Sequence, residues 1–143
     1  MPRKARELVD SGIYHVYSRG NNRQKLFRSG DDYAKYRLLL SEGGSKYRAE
    51  IFHYCLMTNH VHLLMRIKDQ HDLGKIMHRT QLCYTKYYKK QYRYIGHLYQ
   101  GRFRSPRIKE ESYYLQCGRY IERNPVNAGM VIKAEEYPYS SAG

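Results

Sequence analysis

Three side chains in this sequence could do chemistry together: His60, His62 and Tyr120. His60 and His62 are two residues apart in Met57-Thr58-Asn59-His60-Val61-His62-Leu63-Leu64-Met65. On an extended chain that spacing puts both imidazoles on one side of a sheet, where they could grip one ion. Val61, Leu63, Met65 and Ile67 take the opposite, buried side. Two satisfied histidines on a half-buried strand would leave the same pattern, so the pair decides nothing alone. Tyr120 lies on a helical stretch in which Gln116, Tyr120 and Asn124 recur every four residues as a polar stripe. Beside it runs an apolar stripe of Tyr113, Cys117 and Ile121. A tyrosine hydroxyl is a competent nucleophile toward phosphorus when the phosphate is polarised. A divalent cation on the imidazoles would polarise it, and the carboxamide of Asn124, one turn beyond Tyr120, could complete the site.

The elements that must position these groups can be read in order. Residues 1 to 10 are a basic leader that ends at a Ser11-Gly12 turn. Ile13 to Arg19 alternates as a strand, with Ile13, His15, Tyr17 and Arg19 on one face. Gly20-Asn21-Asn22-Arg23 is a polar loop able to take positive φ. It could close around a phosphate or base, and equally be a plain surface loop. Asp31 or Asp32 can cap a helix carrying Tyr33, Tyr36, Leu39 and Leu40 that stops near Gly43-Gly44. Ala49 to Met57 is a second strand, and Thr58-Asn59 turns it back into the histidine strand. A helix from about Leu73 to Tyr92 faces the core with Ile76, Thr80, Cys83 and Tyr87, Tyr84 standing at the margin of that row, and shows Lys75, Arg79, Lys86, Lys89 and Lys90 outward. The last strand falls near Phe103 to Ile108. Glu110 and Glu111 suit the start of the next helix, Ser112 can cap it, and Pro125 limits it near Asn124. The order βαββαβ predicts an α+β, ferredoxin-like or RRM-like antiparallel sheet with helices on one face. The additional C-terminal helix, carrying Tyr120, is free to cover the other face, where the histidines point.

At 143 residues, the chain is expected to form a single domain spanning 1–143. Lys and Arg number 26 against 13 acidic residues, a net charge of +13, which favours nucleic acid as partner. No apolar run approaches the ~20 residues of a spanning helix, and no signal peptide opens the chain, so a cytoplasmic, non-membrane protein is expected. Cys55, Cys83 and Cys117 form neither a disulfide framework nor a zinc-knuckle spacing. Seventeen Tyr with three Phe and no Trp suit stacking on unpaired bases, although many must be core. The arginine-dense run from Gly96 to Arg107 could meet phosphate or guanine. The nucleic-acid-binding candidates are therefore Arg19, Asn21, Asn22 and Arg23 in the first loop, with His97, Gln100, Arg102 and Arg104 in the second.

Several motifs then occur in order: Tyr14-His15-Val16, Ser18-Arg19-Gly20-Asn21, His60-Val61-His62, Gly96-His97-Leu98-Tyr99-Gln100-Gly101-Arg102-Phe103, the run from Arg119 to Gly129, and Tyr137-Pro138-Tyr139-Ser140-Ser141. Together they resemble the REP-associated branch of the single-tyrosine HUH transposases, from about residue 12 to the end. The resemblance implies an RRM-like sheet and cleavage and rejoining of single-stranded DNA beside hairpins, at REP-like or insertion-sequence ends. It implies that His60 and His62 bind Mg or Mn, that Asn124 fills the place of a third, amide ligand, and that Tyr120 forms a 5′-phosphotyrosine intermediate. No nucleotide cofactor is implied, because the ester keeps the bond energy. Monomer and homodimer are both compatible. Two other classes remain: a non-catalytic RRM-like module for single-stranded nucleic acid, which leaves the His60, His62 and Tyr120 set unused, and a structural metal protein, which leaves the charge unexplained.

Overall fold

The side-chain alternation of two strands sets the layers. In the computed structural model, which describes residues 12–109 and 111–142, β1 (Gly12–Arg19), β2 (Glu50–Leu56), β3 (His60–Ile67) and β4 (Arg107–Ile108) form one sheet in the order β2-β3-β1-β4. All pairings are antiparallel. Helices α1 (Gly30–Lys46) and α2 (Gln70–Tyr92) pack together on one face, and α3 (Glu111–Asn127) lies against β2, β3 and β4. The expected βαββαβ order with an added helix is the observed one. The expected basic leader, Ser11 and Glu110 lie outside the described residues, as do the side chains of Glu111 and Ser112.

Val61, Leu63, Met65 and Ile67 are buried with Tyr14 and Val16 under α1 and α2, as the period-two reading expects. On the other face Cys55, Met57 and Leu64 join Ile121 and Tyr137 in a smaller core. Both faces of β3 are therefore covered. A two-residue turn, Thr58-Asn59, joins β2 to β3 and is closed by the Met57 N–H donating to the His60 carbonyl at 2.9 Å. Residues 137–141 run along the outer edge of β2, with Leu56 N–H bonded to Tyr139 O and Ser141 N–H to Tyr54 O. That covers a strand edge otherwise open to pairing.

Several boundaries differ from expectation. The N-cap of α1 is Ser29, not Asp31 or Asp32, because Asp32 sits three residues inside and reaches back to the N–H groups of Ser29 and Arg28. Gly43 and Gly44 do not stop α1. They are buried within it, and a Cβ at Gly43 would come 3.3 Å from Ile76, so the glycine admits α2 closely. Helix α2 starts at Gln70 because Asp69 caps it through the His71 N–H. Its buried stripe is Leu73, Ile76, Met77, Thr80, Tyr84 and Tyr88. Cys83 and Tyr87 are only half-buried, Tyr87 donating its hydroxyl to Asp32 at 2.7 Å. Regular pairing in β4 covers only Arg107–Ile108, since Gly101 has φ 68° and Pro106 offers no N–H to the ladder. Helix α3 continues through Pro125 to Asn127. A proline in the last turn removes only its own N–H bond, and Ala128 N–H still reaches Asn124 O at 3.0 Å. No helix among the described residues is long and apolar enough to cross a membrane.

Tyrosines do much of the internal binding. Tyr84 donates to the Leu26 carbonyl and Tyr88 to that of Lys25, while Gln24 and Arg28 donate to the Tyr88 hydroxyl. These bonds pin the 24–28 segment to α2. The fully buried Asp32 carboxylate accepts from Tyr87 and Tyr92 as well as from two backbone N–H groups. Burial pushes its pKa up, but those four donors outweigh it and leave the pKa below the ordinary 3.8. A lowered folded-state pKa stabilises the fold above the unfolded value and is lost as pH falls through the folded one. Asp32→Asn should therefore cost on the order of 2 kcal/mol at pH 7. In denaturant unfolding, its gap from wild type should narrow below about pH 4, near the unfolded carboxyl value, and a gap constant down to pH 2 would show that the carboxylate is not the stabilising form.

Candidate active site

Register decides which side chains meet. Pairing of β1 with β3 sets Tyr17 opposite His62 and Arg19 opposite His60, with His15 beside them opposite Leu64. All five point to the face that α3 covers. His60 and His62 stand edge to face with ring centroids 5.1 Å apart. His15 stacks on His62 at 5.2 Å, and its Nε2 lies 3.0 Å from His62 Nδ1. From α3, the Tyr120 ring meets His62 edge-on at 5.7 Å and His15 at 6.2 Å. The structure thus brings together the two imidazoles and the tyrosine expected from sequence.

The histidines are held neutral. His62 is 9% exposed, and burial first, then the charges of His60, His15 and Arg19, lower its pKa to about 3. Burial also lowers His60, assisted by Arg19 and opposed by a hydrogen bond with Asn124, and burial lowers His15. Asn124 on the α3 stripe is thus near enough to His60 to act on it, and its buried Nδ2 has no hydrogen-bond partner among the described residues. His60 Nδ1 is 2.8 Å from Asn59 Oδ1, an acceptor, so that nitrogen carries the proton and Nε2 keeps a lone pair. Among the described residues no cluster of three or more His, Cys, Asp or Glu side chains is placed to hold a metal ion. The donor set available is two imidazoles and one amide.

A cleft of about 800 Å³ opens over this floor, lined among others by His15, Tyr17, Arg19, His62, Gln116 and Tyr120. Tyr120 is 52% exposed there. Tyr113, expected on the buried stripe of α3, instead lines the cleft at 58% exposure. Tyr114 takes the packing role and meets the Phe52 ring at 5.7 Å. Cys117 and Ile121 keep their expected places in that core, and the stripe continues to Tyr114 because positions three and four apart share a helix face.

The two candidate nucleic-acid segments are joined along one edge by backbone bonds. Gln100 N–H reaches Arg19 O, Asn21 N–H reaches Leu98 O, and Arg104 and Tyr17 exchange both bonds at 2.8 and 2.9 Å. Arg19, Asn22, Arg23, His97, Gln100, Arg102 and Arg104 are exposed there, and Asn21 is half-buried. Asn22 and Arg23 have φ of 53° and 58°, the left-handed turn expected of the loop. On the outer side of α2, by contrast, Lys75 pairs with Asp72 at 3.7 Å, and Arg79 reaches Glu42 at 3.7 Å and the Leu39 carbonyl at 3.3 Å. Those two cations serve packing.

Residues 8–124 match the family described as Transposase IS200 like. The chain belongs to the IS200-like transposase family. Its members' activity is the cutting and joining of DNA. This transposase is 25% identical over 147 residues to a Haemophilus influenzae protein named as a REP-associated tyrosine transposase, covering 95% of this chain and 82% of the relative. Its fold is similar, at a TM-score of 0.84 and 19% identity, to a solved REP-associated tyrosine transposase bound to a REP hairpin, over 99% of this chain and 82% of that one. A Deinococcus radiodurans protein solved as a transposase matches at a TM-score of 0.57 and 18% identity, over 85% of this chain and 97% of that one.

Two features of this transposase's site were missed among the sequence candidates. One is His15, which the period-two face of β1 could have flagged. The other is the docking of α3 on β2 next to Tyr120. His53 Nδ1 bonds Glu122 Oε2 at 2.6 Å, Ser141 Oγ donates to the same oxygen at 2.6 Å, and a Cβ at Gly118 would come 2.9 Å from the His53 ring. Helix propensity alone would favour Gly118→Ala by about 1 kcal/mol. Overpacking against His53 costs about 1–3 kcal/mol, so Gly118→Ala should destabilise wild type yet be neutral or stabilising in a His53→Ala background. Equal effects in the two backgrounds, measured by denaturant unfolding, would place the steric limit elsewhere.

Proposed function

We propose that this chain, acting as one domain, is a cytoplasmic endonuclease and strand transferase for single-stranded DNA, cutting beside a hairpin of the REP or insertion-sequence type. The observation that carries the reading is Tyr120, half-exposed over a cleft whose floor is His62 and whose wall includes Arg19, in a transposase-family chain. Support for the hairpin comes from the relative solved with one.

In this reading the Tyr120 oxygen attacks the scissile phosphorus. A phosphotyrosyl bond forms to the 5′ side, the bond from phosphorus to the 3′ oxygen breaks, the tyrosine proton leaves to water, and the departing 3′ oxygen takes up a proton. A 3′-hydroxyl of a second end later attacks the phosphotyrosine, restoring Tyr120 and joining the strands. Each exchange swaps one phosphodiester for another, so no nucleotide cofactor is needed. His60, His62 and Asn124 are chemically suited to a divalent cation: both rings are neutral, the His60 proton is committed to Asn59, and the Asn124 amide beside His60 has its buried Nδ2 unpartnered among the described residues. Mg or Mn held there would draw charge from a phosphate oxygen, although imidazoles alone would also accept softer metals. Arg19 adds a fixed positive charge at the cleft wall, and the arginines of the joined loops would seat the backbone of the strand.

A 5′-labelled or 3′-labelled single strand with an imperfect hairpin tests the reading. Wild type with Mg or Mn should give a covalent protein–DNA adduct and a free 3′-hydroxyl, on the single strand but not on the same sequence annealed to its complement, since unstacking duplex costs a few kcal/mol per base. Tyr120→Phe should bind the strand and form no adduct. An adduct mapping to Tyr113, or full yield in chelator, would overturn the nucleophile or the metal assignment respectively.

Binding itself should weaken steeply with salt, by about 0.7 log units per phosphate contact for each tenfold rise. Arg102→Ala should lower that slope by one contact if the side chain meets phosphate, or relax sequence choice at constant slope if it meets a base. Unchanged affinity and slope in both Arg102→Ala and Arg104→Ala would move the binding edge elsewhere.

A further inference from the structure

Beneath the two imidazoles assigned to the cation stands a third with no role in the reaction as derived. His15 lies on β1 with its ring stacked on His62, 28° from parallel, and Nε2 3.0 Å from His62 Nδ1. A neutral imidazole carries one N–H and one lone pair. This contact therefore has one donor and one acceptor, and its direction fixes both rings. If His15 donates, His62 bears its proton on Nε2 and has no lone pair left for a cation. If His62 donates, its Nε2 lone pair is bare. His60 is already held in the second way, its Nδ1 proton committed to the Asn59 carboxamide oxygen 2.8 Å away.

We propose that His15 is a positioning residue: it accepts a hydrogen bond from His62 Nδ1–H and so holds His62 in the tautomer whose Nε2 can bind the divalent cation. His15 does for His62 what Asn59 does for His60, and the two imidazoles are presented alike although their supports come from different strands. The register of β1 on β3 makes this possible, because the His15 ring sits one pleat along from Tyr17, the direct partner of His62. Hydrogen-bonded supports of this kind typically alter metal affinity 10- to 100-fold when removed. The inference deepens the metal reading above and rests on it.

Nitrogen-15 NMR of the histidine rings in metal-free protein tests it without any variant. The expected spectrum has His62 protonated on Nδ1 with Nε2 bare, and His15 bare on Nε2. A His62 proton on Nε2 would overturn the proposal. Calorimetric titration with Mn²⁺ gives the second readout. His15→Phe should weaken Mn²⁺ binding about 10- to 100-fold and let the His62 proton redistribute, whereas His15→Gln, whose amide oxygen can accept the same bond, should restore most of the affinity and the wild-type tautomer. Equal Mn²⁺ affinity in wild type and a folded His15→Phe would overturn the role of His15. Should His15→Phe not fold, the wild-type spectrum and His15→Gln still decide. Wild type with the expected tautomers that binds no Mn²⁺ would sink the metal reading alone.

Discussion

The antiparallel register of β1 on β3 is the constraint on which the site depends. It sets Tyr17 against His62 and Arg19 against His60, with His15 one pleat along. Shifting either strand by one residue would send every one of these side chains to the opposite face, because side chains alternate with period two. What prevents the slip is not the site. Val61, Leu63, Met65 and Ile67 interlock with Tyr14 and Val16 beneath α1 and α2, and exposing even one such side chain costs about 1.5–3 kcal/mol. The apolar face holds the polar face in register.

A second layer of constraint acts on the helix that carries Tyr120. Ile121 sets its rotation, the Gly118–His53 approach sets its height over β2, and Glu122 ties it to both His53 and the C-terminal Ser141. These three contacts flank Tyr120 on a single turn and a half, so the ring can be half-exposed and still have a fixed position over His62. The tyrosine richness of the chain has the same logic. Tyr84, Tyr87, Tyr88 and Tyr92 are used to tie the segment after β1 and the start of α1 to α2. Few tyrosines remain on the open side: Tyr17, Tyr113 and Tyr120 line the cleft.

Strand order, hairpin, helix count and the convergence of His60, His62 and Tyr120 were legible because they follow from periodicity and short turns. The parts that were not legible depend on partners distant in sequence. Asp31 and Asp32 are as good caps as Ser29 in isolation, and the choice is made by Tyr87 and Tyr92, some sixty residues away, which need Asp32 for themselves. Pro125 reads locally as a helix stop, yet the chain beyond it keeps the helical course to Asn127. Gly118 carries no signal until His53 is known to lie beneath it. His15 reads as an ordinary strand residue until the pairing of β1 with β3 places it on His62.

The resulting surface has two electrostatic zones, and physics keeps them apart. Three imidazoles crowd the floor, where burial disfavours charge and, for His60 and His62, the positive charge of Arg19 at the wall disfavours it further, so the rings are neutral at pH 7 and available as ligands or hydrogen-bond partners. Arginine cannot escape its charge in this way, since it does not deprotonate in proteins. Accordingly Arg23, Arg102 and Arg104 stand exposed on the joined loops and not on the floor. Hydration lowers the cost of the charged rim, and burial keeps the imidazoles of the floor neutral. In the proposed reading, a strand seated on that rim would bring one phosphate over the neutral imidazoles of the floor and the half-exposed Tyr120, because the β1–β3 register holds rim and floor at a fixed separation.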